Sequence, residues 1–205
     1  RACDARSFTI LDKVFLAPPV DSYYKSRREH GTIVTMACTH PEETCFCSVF
    51  GIDPAQPEGD ARCWMDDAKV YMEAITEKGE KLTEGGADKV AAQQQETRAI
   101  VEKLPFHELS LKGFGGENML KLFDAPEWKT LSQSCLGCGA CTFVCPTCQC
   151  YDIRDFDTGH GIKRFRCWDS CMYSDFTKMA SGNPRLTQLE RFRQRFMHKL
   201  VYFPM

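Results

Sequence analysis

The chain has 205 residues and contains no apolar run of membrane-spanning length, and no stretch in it reads as a signal peptide. It has no excess of one charge: 26 Lys and Arg against 28 Asp and Glu leave a net charge of −2. A nucleic-acid partner is therefore not expected. A phosphate loop is missing too. Lys112-Gly113-Phe114-Gly115-Gly116 has the glycines but neither the G-x-G-x-x-G frame nor a strong preceding strand, and it reads as a hinge. No nicotinamide or flavin site is legible.

Cysteine is what the chain has in excess. Its 13 cysteines are odd in number and bunched in short C-x-C and C-x2-C steps. That pattern suits metal ligation in a reducing compartment better than a disulfide framework, so a cytoplasmic location is expected. The densest stretch is Cys135-Leu136-Gly137-Cys138-Gly139-Ala140-Cys141-Thr142-Phe143-Val144-Cys145-Pro146. Its spacing, C-x2-C-x2-C-x3-C-P, is that of bacterial-type segments that wrap a [4Fe–4S] cubane. Three thiolates two residues apart reach three corners of one small cube. Gly137 and Gly139 let the backbone curl with its N–H groups turned toward the sulfides. Thr142 to Cys145 then read as a turn of helix that Pro146 ends. In such segments the fourth Cys goes to a different cluster, so one motif implies two sites.

Two other readings compete for this stretch. Structural zinc prefers paired C-x2-C knuckles. Cys141, Cys145 and Cys148 also spell C-x3-C-x2-C, a spacing that would fit an open-coordination cluster binding substrate or S-adenosylmethionine. Downstream, Cys148, Cys150, Cys167 and Cys171 bring the local count to eight, enough for two cubanes. Phe143, Phe165 and Trp168 are the expected apolar shield against water.

The rest of the chain divides into a mixed α/β N-terminal part, residues 1–120, and a mainly helical ferredoxin-like part, residues 121–205, giving an α+β fold. Ser7 to Leu16 reads as a short helix or a strand pair, and Thr32 to Cys38 as a buried strand. That strand delivers Cys38 to its end, and Cys45 and Cys47 follow within ten residues. With Cys3 as fourth ligand, these cysteines form a candidate third site, although small buried hydrophobes would look the same. Cys63 stands alone and reads as packing only. Lys69 to Thr76 alternates as a strand. Asp88 would cap a helix running to Leu104, with Val90, Ala91, Ile100, Val101 and Leu104 inward, Gln93 to Glu96 solvated and Pro105 as the stop. His107 and His160 read as surface residues, the latter in a Gly159-His160-Gly161 hairpin turn.

Glu117 to Phe123 reads as a short helix, and Asp124 with Pro126 opens the next. Asn183-Pro184 opens a last helix with Leu186, Leu189, Phe192, Phe196 and Leu200 as its apolar stripe. Its other face, Arg191, Arg193, Arg195 and Lys199, is either solvated or a docking surface for an acidic redox partner.

Several motifs together resemble one known family. They are Arg1-Ala2-Cys3-Asp4, Thr44-Cys45-Phe46-Cys47, Cys138 to Cys148, Trp168-Asp169-Ser170-Cys171 and Arg195-Phe196-Met197-His198-Lys199. The family comprises 4Fe–4S dicluster subunits such as the beta subunit of cytosolic NiFe sulfhydrogenases and the corresponding iron–sulfur subunit of anaerobic sulfite reductase. The resemblance implies an electron-relay subunit between a flavin- and NAD(P)-binding diaphorase subunit and a catalytic hydrogenase or reductase subunit. It also implies an anaerobic setting and two or more [4Fe–4S] clusters. Family members usually carry a second C-x2-C-x2-C-x3-C-P segment after the region matching Met197 to Leu200, and the chain starts already within a family motif, so truncation at both ends is expected. Cys135, Cys138 and Cys141 would then lack their distant fourth ligand, and Cys148, Cys150 and Cys171, with or without Cys167, would serve another cluster.

Individual ligands can be told apart by iron content. Cys138→Ala should remove one cubane's iron, whereas Cys63→Ala should leave the iron unchanged; equal losses from both would refute the assignment.

Overall fold

The computed structural model describes residues 1–83, 91–104 and 109–202. The chain separates by its internal contacts into two units, Arg1–Leu111 and a second from Lys112 onward. Both mix helix and strand, as the α+β expectation required.

The first unit opens with helix α1, Ala2–Phe15. One continuous helix thus replaces the expected short helix or strand pair, and Cys3 lies in its first turn rather than on a strand. Asp4 in the first turn and Lys13 in the last complement the helix dipole. Its buried residues are all small: Ala2, Ala5 and Ser7. Helix α2, Ser22–His30, starts where the Asp21 carboxylate accepts the Tyr24 N–H at 2.9 Å, and it has Arg27, Arg28 and His30 in its last turn. Asp12 ties the two helices, accepting from the Tyr24 hydroxyl at 2.7 Å and from Arg28 Nε at 3.1 Å.

Three short strands form the sheet of this unit, in the order β1-β2-β3. Strand β1 is Val34–Met36, β2 is Ala61–Met65 and β3 is Val70–Ala74. β1 runs parallel to β2, and β3 antiparallel to it. The expected long buried strand before Cys38 shrinks to three residues, of which Thr35 faces in while Val34 and Met36 stay exposed. Central β2 carries the core: Ala61 and Trp64 are fully buried, and Cys63 is nearly so, in register with Met36 and Met72. Arg62 pairs with Glu73 across β2 and β3 at 2.6 Å.

Asp60, buried just before β2, joins the sheet at one end. Its carboxylate accepts the Ile33 N–H at 2.9 Å and the Thr76 hydroxyl at 2.6 Å. Helix α3, Glu77–Glu80, crosses so close that a Cβ at Gly79 would stand 2.0 Å from the Asp60 carbonyl oxygen. Glycine is therefore required there.

Helix α4 is Ala91–Val101. Its deepest residue is Thr97, whose hydroxyl donates to the Gln93 carbonyl, with Ile100, Val101 and Leu104 half-buried. The expected solvated run does not hold for Gln94, which reaches Glu73 Oε2 on β3 at 3.3 Å. The amide adds a second donor to the carboxylate oxygen that Arg62 already binds. Asp88, Val90, Pro105 and His107 lie outside the described residues.

The second unit begins with a short 3-10 turn at Gly116–Asn118 and helix α5, Met119–Phe123, followed by α6, Glu127–Leu131. Pro126, not Asp124, occupies the N-cap of α6. One turn of helix, α7, spans Ala140–Phe143 inside the cysteine stretch. Strands β4, Tyr151–Asp157, and β5, Ile162–Trp168, then form a seven-residue antiparallel hairpin. So this unit is less helical than expected, although the turn at Gly159 to Gly161 is where the glycines placed it, with His160 exposed.

Helix α8, Gln188–Met197, opens at Thr187 and not at Asn183-Pro184. Thr187 and Glu190 form a capping box there, the stronger start signal. Leu186 consequently falls outside the helix and is exposed. Phe192 and Phe196 stack with Trp128 of α6 at 6.4 and 6.1 Å between centroids, and Met197 is buried. A π-helical turn, His198–Tyr202, extends α8. Among the described residues no helix is long and apolar enough to cross a membrane.

The Asp60 contacts make a stability prediction. Burial alone would raise its pKa, but the Thr76 hydroxyl, the Ile33 N–H and the Lys78 charge outweigh this and hold the carboxyl below its ordinary value. Its contribution is complete above the ordinary aspartate pKa of about 3.9 and is lost as pH falls through the lower folded value. Asp60→Ala should cost about 1–3 kcal/mol at neutral pH in denaturant melts, because the part-buried Ile33 N–H and Thr76 hydroxyl lose their acceptor. An unchanged midpoint would remove Asp60 from this role.

Candidate metal centre

The cysteine stretch is shaped by two glycines. Gly137 and Gly139 both take positive φ, 68° and 76°, and Gly139 serves as the left-handed N-cap of α7. A Cβ at Gly137 would lie 2.9 Å from Gln188 Oε1, and one at Gly139 would lie 2.7 Å from the Tyr173 ring. Both positions thus need glycine for conformation and for space. Helix α7 takes in Ala140 to Phe143, two residues earlier than expected, because it starts from this left-handed cap.

Hydrogen bonds fasten the stretch to the segment after β5. Ser170, fully buried, donates its hydroxyl to Thr142 Oγ1 at 2.8 Å and accepts the Met172 N–H. The Asp169 N–H donates to the Cys150 carbonyl at 3.1 Å, and the Tyr173 hydroxyl donates to the Cys138 carbonyl at 3.3 Å. The Cys148 N–H closes a turn on the Cys145 carbonyl at 3.1 Å.

Within this frame four thiols come together as two pairs. The Cys148 thiol donates to Cys145, which pushes the Cys145 pKa down, helped by Thr147 and Lys199, and pushes that of Cys148 up. The Cys171 thiol donates to Cys150, lowering Cys150 to about 7 and raising Cys171 to about 12. Cys150 also senses the charge of Cys148, which links the two pairs. Cys148 and Cys171 are buried; Cys145 and Cys150 are half-buried.

Helix α8 and its extension supply the wall. Arg195 donates to Cys148 Sγ at 3.2 Å and to the Cys141 carbonyl. Lys199 donates to Thr147 Oγ1 at 2.6 Å, beside Cys145, and His198 hydrogen-bonds Cys171. Farther up the helix, Gln188 Nε2 donates to Cys135 Sγ at 2.9 Å. Arg191 is buried, donating to the Arg185 and Leu186 carbonyls, and Arg193 stacks on Phe123 at 3.6 Å from its ring centroid. The basic face is therefore neither solvated nor free for docking: its cations are spent on carbonyls, a ring and sulfur.

Gln188, Arg191, Arg195 and Lys199 recur at steps of three and four, so one face of α8 turns toward the cysteine stretch. That periodicity was readable in the sequence; its direction was not. Other residues that sequence reasoning missed are Thr147, Ser170, Tyr173 and His198.

Other expected site residues are placed differently. Cys167 sits in β5 opposite Asp152, with its thiol directed to the Asp152 carbonyl at 3.9 Å, away from the two pairs. Cys138 is exposed, while Cys135 and Cys141 are half-buried. A cleft of about 950 Å³ opens beside Leu136 and Gly137, with Tyr173, Gln188 and Arg191 in its walls. Phe143, Phe165 and Trp168 are 51%, 39% and 67% exposed and do not shield the site. In the first unit, Cys47 lies within electrostatic reach of Cys3, Cys45 and Cys38; burial first, then these neighbours, raise its pKa to about 11.

All the cysteines are free thiols. Among the described residues, no three His, Cys, Asp or Glu side chains close into the shell of a single metal ion.

Comparison with known proteins agrees with this chemistry. Residues 134–205 match the family described as "4Fe-4S dicluster domain". The chain is 33% identical over 223 aligned residues to Sulfhydrogenase 2 subunit beta of Pyrococcus furiosus, an alignment covering 99% of this chain and 63% of that protein. The chain thus spans less than two thirds of that relative's length. No solved structure matches it.

Arg195 gives the site its test. A cation donating to a ligand sulfur favours the reduced, more negative cluster. Arg195→Met should therefore move a cluster potential downward by something on the order of 60 mV, a tenfold one-electron equilibrium change. Redox titration followed by electron paramagnetic resonance measures this; an unmoved or raised potential would contradict the arrangement.

Proposed function

We propose that the protein is the electron-relay subunit of a multisubunit oxidoreductase, a reading supported by the match of residues 134–205 to the 4Fe–4S dicluster domain family and by the likeness to a sulfhydrogenase beta subunit. The observation that carries the proposal is the set of donors from α8 and its extension around the cysteine sulfurs, with Gln188 on Cys135, Arg195 on Cys148 and His198 on Cys171. Thiolate-ligated clusters carry negative charge, and N–H donors and cations at sulfur both stabilise that charge and set the potential.

In this reading Cys145, Cys148, Cys150 and Cys171 hold one cluster. Cys135, Cys138 and Cys141 supply three thiolates to another, with Gly137 and Gly139 shaping the loop around it. Cys167 is left as a strand residue. The clusters supply one-electron chemistry when bound. The chain's own residues fix the thiolates, exclude water along α8 and bias the charge state through Arg195 and Lys199.

Two-electron chemistry then belongs to partners. We assign a flavin- and NAD(P)-binding diaphorase subunit to one end of the relay and a catalytic hydrogenase or reductase subunit to the other. The free thiols support a reducing compartment such as the cytoplasm as the home of the complex.

Metal and acid-labile sulfide analysis of anaerobically purified protein tests the proposal. About eight iron and eight sulfide per chain are expected from two cubanes, and about twelve of each if a third is present. Zinc without sulfide would end the relay reading.

A further inference from the structure

We propose that Cys3, Cys38, Cys45 and Cys47 hold a separate iron–sulfur cluster in the first unit, outside the residues that match the dicluster family. The four thiols come from segments that the fold brings together. Cys3 lies in the first turn of α1, which packs on β1. Cys38 follows β1 by two residues, buried, with its N–H held by the Pro54 carbonyl at 3.0 Å. Cys45 closes a turn on Glu42: its N–H donates to the Glu42 carbonyl at 3.0 Å, and its sulfur accepts the Glu42 N–H at 3.3 Å. Cys47 opens the 3-10 turn Cys47–Phe50, and its carbonyl accepts the Ile52 N–H at 3.1 Å. Each cysteine is thus anchored by backbone structure and not carried on a loose loop.

These thiols also sense one another. Cys47 feels the charges of Cys3, Cys45 and Cys38, and Cys38 feels that of Cys45. Cys63 supplies the contrast inside the same unit. It is as buried as Cys38, yet it sits in the β2 register between Met36 and Met72 and senses no other cysteine. Packing explains Cys63; packing does not explain four cysteines gathered from three segments.

The form of the gathering selects the ligand. All four are free thiols, so they are not paired as disulfides. Among the described residues no three of them, with or without the nearby acidic and imidazole groups, close on a single ion. Four thiolates are the donor set of a sulfide-bridged cluster, whose irons offer separate corners. Each thiol gives up its proton as its sulfur bonds to iron. The sulfur that accepts the Glu42 N–H already has the kind of backbone donor that such clusters use to hold their ligands.

The experiment is anaerobic reconstitution of the whole chain with ferrous iron and sulfide, followed by iron, zinc and sulfide assay of variants. Cys47→Ser and Cys45→Ser should each lose iron with matching sulfide, about four of each for a cubane or two for a [2Fe–2S] cluster, while Cys63→Ser stays at the wild-type value. Cys45 is half-exposed, so its variant reads the site if Cys47→Ser fails to fold. Unchanged iron in Cys45→Ser and Cys47→Ser overturns the inference, and so does loss of zinc in place of iron. Because Cys138→Ala reports on the second unit alone, iron lost there but kept in the Cys45 and Cys47 variants would overturn this inference and leave the relay proposal standing.

Discussion

The guanidinium of Arg195 lies between the Cys148 sulfur and the Cys141 carbonyl, and the second unit is arranged around that contact. Several thiols in a half-buried space would repel one another once ionised, and burial would keep them protonated. A cation delivered from a packed helix offsets that repulsion without admitting water. For Arg195 to reach its position, α8 must be fixed in rotation and in depth. The capping box at Thr187 and Glu190 fixes its start, and the contacts of Phe192 and Phe196 with Trp128 hold an adjacent flank against α6. The wall of the site is therefore one helix that packs by an aromatic flank and lines the cysteines with the polar flank beside it.

The same economy governs the first unit on a smaller scale. Its sheet has only three short strands, which is little apolar surface for a stable core. Polar groups tie the pieces instead: buried Asp60 links the chain before β1, β2 and the end of β3, and half-buried Asp12 links α1 to α2. Such networks specify a fold well when every member is satisfied, as these are. They also leave the cysteine-bearing segments anchored at their backbones, the condition for holding several thiols in a fixed relation.

Legibility in the sequence followed the range of the interactions. The cysteine spacing, the glycines at 137 and 139, the hairpin turn at Gly159 to Gly161 and the strand at β3 depend on neighbours a few residues away, and they were readable. Helix α1 was only half readable, because Ser7 to Leu16 mixes β-branched and straight-chain residues. Strand β2 and helix α2 had no reading at all. The first has its Trp64 and Cys63 both buried, which breaks the alternation that marks a half-exposed strand; the second has almost no apolar residue to mark it.

What the sequence determined by itself is the chemistry: thiol-rich, iron–sulfur spacing, with glycine where a loop must curl. These follow from residue type and local spacing, which covalent geometry transmits directly. What only the tertiary structure decided is which sulfurs meet and what surrounds them. Cys150 joined Cys171 and not Cys167, because the β4–β5 register turns Cys167 toward Asp152. Phe143, Phe165 and Trp168 stayed outside while Arg195 and Lys199 turned in, because the aromatic contacts with Trp128 set the rotation of α8. A cation's sequence position does not reveal whether it faces water or sulfur; the helix rotation that settles it is set by side chains far away along the chain.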